Sequence, residues 1–289
     1  MNIDKLRLCF NQPKEIFNEF ANVKPNTFWQ RGDYKLFIIG DDEEEETPKK
    51  IQVNVLLSDN TLLGHFIFSN SRKYEGKCFF TFNNKALYNC LTSVGGHKYN
   101  LAILIDFIAD DLGLTLNNIT EIEIALDTNI NVNAKVRKLI KDFHNFEMIY
   151  NGKKVVEPLR KLDDYTETFG RCRKHLLKNP TIYFRQAKKD SPLLRIYNKT
   201  EEIKDNKNEK NYINEWNGFG KCDTYRMELR LLNESTKEFL NAYPDELPLL
   251  HRLTDPTTLR AMWGYFADRL CYFKADDGTP IHLYDLISA

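Results

Sequence analysis

Apolar and polar residues alternate over much of the first third of the chain, and a period of two puts successive side chains on opposite faces of a strand. The alternation predicts strands at residues 3–10 (IDKLRLCF), 34–39 (YKLFII), 51–57 (IQVNVLL), 62–69 (LLGHFIFS) and 77–82 (KCFFTF), with turn residues between them. Such a run of strands reads as an antiparallel meander. The segment 41–50 (DDEEEETPKK) reads as an exposed loop or hairpin tip. The period then lengthens. Apolar residues at three-to-four spacing predict a helix over about 98–112, stopped by Gly113. A strand at about 119–128 and a basic, polar helix at 133–144 follow. Residues 150–178 are mixed, and strands return at 181–186, 193–199 and 224–232. The Lys-, Asn-, Glu- and Gly-rich stretch 203–221 reads as a mobile loop, and helices at 234–241 and about 256–272 close the chain. Strands that are often consecutive, mixed with helices, imply an α+β fold with a mostly antiparallel central sheet and flanking helices. We expect one domain over residues 1–232, with the N-terminal meander and the candidate chemistry on its sheet, and a helical extension over 233–289.

Composition changes this picture little until the charge is divided along the chain. The 289 residues carry 41 basic and 41 acidic side chains, a net charge of zero. Residues 1–133 hold 13 basic and 18 acidic residues (net −5), residues 134–199 hold 17 and 7 (net +10), and residues 200–289 hold 11 and 16 (net −5). A concentrated positive block is an electrostatic footprint for phosphates, although a solvated basic helix face has the same composition. No apolar run of about 18 residues marks a membrane span. The six cysteines form no CxxC pair and no secretory signal layout opens the chain, which favours free thiols and a cytoplasmic location. The six histidines form no HxH or HExxH pair, so metal ligands are expected among carboxylates, which suit hard ions such as Mg²⁺ or Mn²⁺.

Three strands carry an apolar face opposite a face of reactive groups. In EIEIALD, Ile122, Ile124 and Leu126 oppose Glu121, Glu123, Ala125 and Asp127. Clustered carboxylates repel one another and make sense around a divalent cation; an exposed polar edge is the alternative. In LLRIYNK, Leu194 and Ile196 oppose Arg195, Tyr197 and Lys199. A phenol between two cations is a candidate phosphate-attacking nucleophile, because neighbouring positive charge favours the phenolate. In YRMELRLL, Arg226, Glu228 and Arg230 share a face. Glu228 could complete a metal site and the arginines could clamp phosphates, or the three could form a surface ion-pair ladder.

The order of these strands resembles that in the rolling-circle replication initiators of the trans-acting Rep class, the replication initiation factor family of plasmids, phages and integrative elements. The family's R-x-D-x-A-x-D strand is matched by Thr120 to Asp127, its T-x-Y-(F/I)-G-x-R strand by Thr181 to Arg185, and its R-I-Y-N-K strand by Arg195 to Lys199. Its (W/Y)-R-x-E-(I/L) strand is matched by Tyr225 to Leu229, and an upstream F-N-x-N-K element is echoed by Phe82 to Lys85. The resemblance implies a DNA nicking-closing enzyme working through a 5′-phosphotyrosine intermediate. Tyr197 would be the nucleophile, and Glu123, Asp127 and Glu228 would hold one Mg²⁺ or Mn²⁺. Arg195, Lys199, Arg226, Arg230 and Arg185 would bind phosphates. The helix 133–144 with Arg171, Arg173 and Lys174 would contact flanking DNA. It also implies a homodimer, origin DNA (hairpin or single strand at the nick site) as partner, and a host helicase as a candidate partner. A relaxase acting at a transfer origin, or a non-catalytic DNA-binding regulator on the same scaffold, remains an alternative.

Overall fold

A computed structural model describes residues 1–39, 50–91, 100–156, 166–167, 181–186, 190–205 and 210–287. Packing divides the chain into two units. One comprises Ile3–Ile122 with Leu247–Thr254; the other comprises Met1–Asn2, Glu123–Glu246 and Asp255–Ala289. The division falls inside a single long strand, Thr115–Thr128.

The first unit runs β1 (Asn2–Asn11), α1 (Lys14–Ala21), β2 (Thr27–Arg31), β3 (Tyr34–Ile39), β4 (Lys50–Leu57), β5 (Leu62–Ser69), β6 (Lys77–Phe82), α2 (Asn84–Leu91), α3 (Leu101–Asp111) and the first half of β7 (Thr115–Thr128). Its strand order is β7-β1-β6-β5-β4-β3-β2, and β2 to β6 form the expected antiparallel meander. Alternation decides which face is buried. On β4, Ile51, Val53, Val55 and Leu57 point inward while Gln52, Asn54 and Leu56 are partly exposed. Register then stacks Val53 against Phe66 and Phe66 against Phe80, giving an aromatic core with Phe10 and Phe68. The eight-residue α1, which follows Pro13 and buries Ile16, Phe17 and Phe20, was not anticipated. So short a helix shows barely two turns of apolar period, and tertiary packing rather than propensity holds it.

The second unit runs from the latter half of β7 through α4 (Val132–Lys141), β8 (Phe146–Tyr150), β9 (Lys153–Lys154), β10 (Thr166–Glu167), β11 (Thr181–Arg185), β12 (Leu193–Asn198), α5 (Thr200–Asp205), α6 (Tyr212–Asn217), β13 (Tyr225–Leu232) and α7 (Asn233–Ala242). After α8 (Leu249–Leu253), which belongs to the first unit, come α9 (Pro256–Leu270), β14 (Cys271–Ala275) and β15 (Pro280–Ile281). The sheet order is β10-β11-β12-β13-β7, and a second small sheet is ordered β15-β14-β8-β9. The C-terminal stretch is therefore not wholly helical: β14 pairs antiparallel with β8, more than a hundred residues earlier. α9 starts as its sequence dictates. Asp255 caps it by accepting from the Thr258 amide at 2.7 Å, and Pro256 sits in the first turn, where its missing N–H costs nothing.

The stretch 203–221 corrects the expectation of a loop, since α5 and α6 cover much of it. Two apolar anchors in a polar segment, Ile203 and Ile213, are buried, and Gly218 ends α6 in the left-handed region at φ 67°. Among the described residues no helix is long and apolar enough to cross a membrane. Cys9, Cys78, Cys222 and Cys271 are free thiols. The acidic segment 41–46 lies outside the described residues.

Candidate active site

Antiparallel pairing of β12 with β13 builds the site. Arg195 stands opposite Glu228 and Tyr197 opposite Arg226. Directly opposed residues share a face, so the two polar faces read from the sequence become one. Leu194 and Ile196 point to the other side and are buried. The α4 helix backs this strand: its Val132, Val136 and Ile140 are buried, and the fully buried Asn133 donates from Nδ2 to the Ile196 carbonyl at 3.2 Å. At the end of β12, Asn198 accepts from the Thr200 amide at 2.9 Å and turns the chain into α5. Thr200 and Thr224 then stitch this corner to the start of β13: the Thr224 amide donates to Thr200 Oγ1 at 2.7 Å, and Thr200 Oγ1 donates to the Thr224 carbonyl at 3.2 Å.

Tyr197 lies half-buried at the centre. Its hydroxyl donates to Glu228 Oε2 at 2.9 Å, and Lys199 Nζ donates to the same hydroxyl at 3.4 Å. The Lys199 ammonium also lies 5.6 Å from the Tyr197 ring centroid. Lys199 is 3% exposed, so its charge is compensated locally: Lys199 Nζ donates to Glu202 Oε2 on α5 at 2.7 Å, and Glu202 also pairs with Lys210. Burial alone would raise the Glu202 carboxyl, but Lys199 and Lys210 more than offset it and hold the group below the usual carboxylate range. A depressed pKa contributes stability that is present above the unfolded value of about 4.3 and lost as pH falls through the folded value. Glu202→Gln should therefore lower the urea midpoint at pH 7, and the difference from the parent should shrink as the pH is taken down below the unfolded value. With the Glu202 side chain 38% exposed, solvent screening keeps the difference at or below about 1 kcal/mol.

Two carboxylates face one cation beside the phenol. Arg195 ion-pairs with Glu123 at 3.2 Å and, more closely, with Glu228. Glu123 and Glu228 are 8% and 1% exposed, and each offers an oxygen within 4.8 Å of the other's. These are hard donors in the number that Mg²⁺ takes from protein when substrate phosphate and water complete its shell, and the guanidinium already marks a place for positive charge. The residues present therefore fit a divalent cation.

Asp127 is placed elsewhere. Its Oδ1 accepts from Arg226 Nε at 2.6 Å and its Oδ2 from Arg226 Nη2 at 2.9 Å, a bidentate pair, and Asn217 Nδ2 adds a bond at 3.3 Å. Four residues of strand separate Glu123 from Asp127 by about 13 Å, so sharing a face does not bring them to one point. Arg226 itself is fully buried, with its Nη1 at 3.8 Å from Glu228 Oε2. Glu121 pairs with Lys5 at 2.8 Å within the first unit. Arg185 is exposed at the end of β11 and Arg230 is partly exposed on β13. Arg171, Arg173 and Lys174 lie outside the described residues. Glu202, Asn133 and Asn217 were not singled out from the sequence. Only Glu202 leaves a local trace there, three residues after Lys199 at helical spacing.

No protein-family model and no curated protein matches this chain. Among solved structures, the chain is similar to the rolling circle replication initiator protein from Geobacillus stearothermophilus, over 99% of this chain and 96% of that one, with 13% sequence identity and a TM-score of 0.41.

Proposed function

We propose that this chain is a metal-dependent DNA strand transferase that starts rolling-circle replication by nicking one strand, with Tyr197 as nucleophile. The observation that carries this reading is the Tyr197 hydroxyl held between an acceptor, Glu228, and a cation, Lys199, on the strand that carries Arg-Ile-Tyr-Asn-Lys. Glu228 is within the distance a general base needs, and the ammonium favours the phenolate that must form. The Tyr197 oxygen would bond to phosphorus as the bond from phosphorus to the 3′ oxygen breaks. The phenolic proton would pass to Glu228, and the leaving 3′ oxygen would take a proton from solvent to become a free 3′-hydroxyl able to prime synthesis. The phosphodiester energy would be kept in the 5′-phosphotyrosine, available for rejoining. Glu123 and Glu228 would hold the divalent ion, whose chemistry is to polarise the phosphate and offset its developing charge. Arg195, partly exposed between those carboxylates, would bind a phosphate oxygen, as would the exposed Arg185. Asp127 would act through Arg226, fixing it across from Tyr197.

The reading is tested by incubating the protein with a randomised single-stranded DNA pool labelled at the 3′ end. A labelled adduct that survives SDS is expected with Mn²⁺ and not with EDTA. Equal label in both, or label with neither, would contradict it.

A further inference from the structure

A second site lies away from the tyrosine, on the small sheet of the second unit. A cavity of about 460 Å³ opens among Phe143, His144, Phe146, Lys154, Val156 and Lys274. The volume falls in the range of small-ligand pockets. Two of its apolar walls are left to solvent: Phe143 is 36% exposed and Val156 is 74% exposed. Phe143 and His144 lie against each other in the turn after α4, with ring centroids 4.2 Å apart and planes tilted by 35°. Lys154 on β9 is steered by its ion pair with Glu147, and Lys274 reaches from β14 over the Tyr272 ring. The lining itself carries Glu147 and Asp276 beside Lys154 and Lys274, and the positive charge comes from the segment around it: residues 132–156 hold six basic and two acidic side chains, a net +4.

Exposed rings, apolar walls and surrounding ammonium groups are the two halves of single-strand recognition: faces for bases and charge for the backbone. We propose that this cavity takes one unpaired base of single-stranded DNA, stacked on Phe143, with the adjoining phosphates on Lys154 and Lys274. The choice of ligand rests on the reading of the chain as a DNA strand transferase. The site would hold the strand outside the cleavage point and favour melted over paired DNA, because a paired base must first be unpaired and unstacked to enter.

The test uses full-length Tyr197→Phe in EDTA, so that no cleavage intervenes, titrated with single-stranded oligonucleotides that each carry one 2-aminopurine at a different position. One position should be strongly quenched on binding. Phe143→Ala should release that quench and weaken binding about 5- to 150-fold, the span expected for one stacked base, while Phe143→Trp should keep both. Quenching at no position, quenching that persists in Phe143→Ala, or equal binding of duplex and single strand would each overturn the proposal. Loss of the quench signal together with an intact Mn²⁺-dependent adduct would remove the pocket and leave the transferase reading. A Phe143-dependent quench without an adduct would do the reverse.

Discussion

Tyr197→Phe should lose the covalent protein–DNA adduct while retaining DNA binding. The phenol oxygen is the atom that would bond to phosphorus, so its removal leaves no nucleophile, and the expected loss is on the order of 10⁴-fold or more. Binding should change little, because the substitution removes one hydroxyl and leaves its charged partners Glu228 and Lys199 in place. Tyr183 supplies the control. It stands opposite Arg195 across β11 and β12, on a strand that also carries a T-x-Y pattern, and Tyr183→Phe should leave the adduct in place. Adduct quantified by denaturing gel and binding by fluorescence anisotropy separate the two effects. An undiminished adduct in Tyr197→Phe would place the nucleophile elsewhere.

Arg226→Met should destabilise the second unit by about 3–5 kcal/mol, the cost of leaving a buried partner charge uncompensated. Arg226 is wholly buried and its bidentate partner Asp127 has a side chain only 2% exposed. Urea unfolding followed by near-ultraviolet circular dichroism measures the effect. The double variant Arg226→Met with Asp127→Leu should recover much of the loss, because removing both charges also removes both desolvation costs. Strict additivity of the two single changes would show that the pair is not coupled. A small loss in Arg226→Met with a large loss of metal-stimulated cleavage in Asp127→Asn would instead return Asp127 to the metal.

Much of the architecture was legible in the chain because strand period reports on faces. The meander strands β3, β5 and β6 end where their alternation ends, at residues 34–39, 62–69 and 77–82. The meeting of Arg195, Tyr197 and Glu228 was legible for the same reason. Each strand offered one polar face, and an antiparallel register brings such faces together. What the period cannot report is distance along a strand. Glu123 and Asp127 share a parity but serve different arginines, Arg195 and Arg226. Nor does composition report on a few buried residues in a polar stretch. Ile203 and Ile213 anchor α5 and α6 where the Lys- and Asn-rich background suggested a loop. The pairing of β8 with β14 is a long-range contact with no local signature, and the cavity beside Phe143 exists only because of it.

Charge followed a similar course. The sequence placed a net +10 between residues 134 and 199, and phosphates were the natural partner. In the folded unit, Lys199 is spent on Glu202, and Arg195 is shared between Glu123 and Glu228. Arg226, outside that block, is likewise held internally by Asp127. Cations around the phenol thus serve first to hold carboxylates and tyrosine in place. The exposed positive groups Lys138, Lys141 and Lys153 of α4 and β9 would, in the proposed reading, be the ones to meet the strand.

The most direct measurement is to trap the adduct with Mn²⁺ on the labelled single-stranded pool, digest protein and DNA, and locate the nucleotide-modified peptide by mass spectrometry. The account predicts one modified residue, Tyr197, in the peptide carrying Ile196 and Asn198. A nucleotide on any other tyrosine, or on a serine, would contradict it.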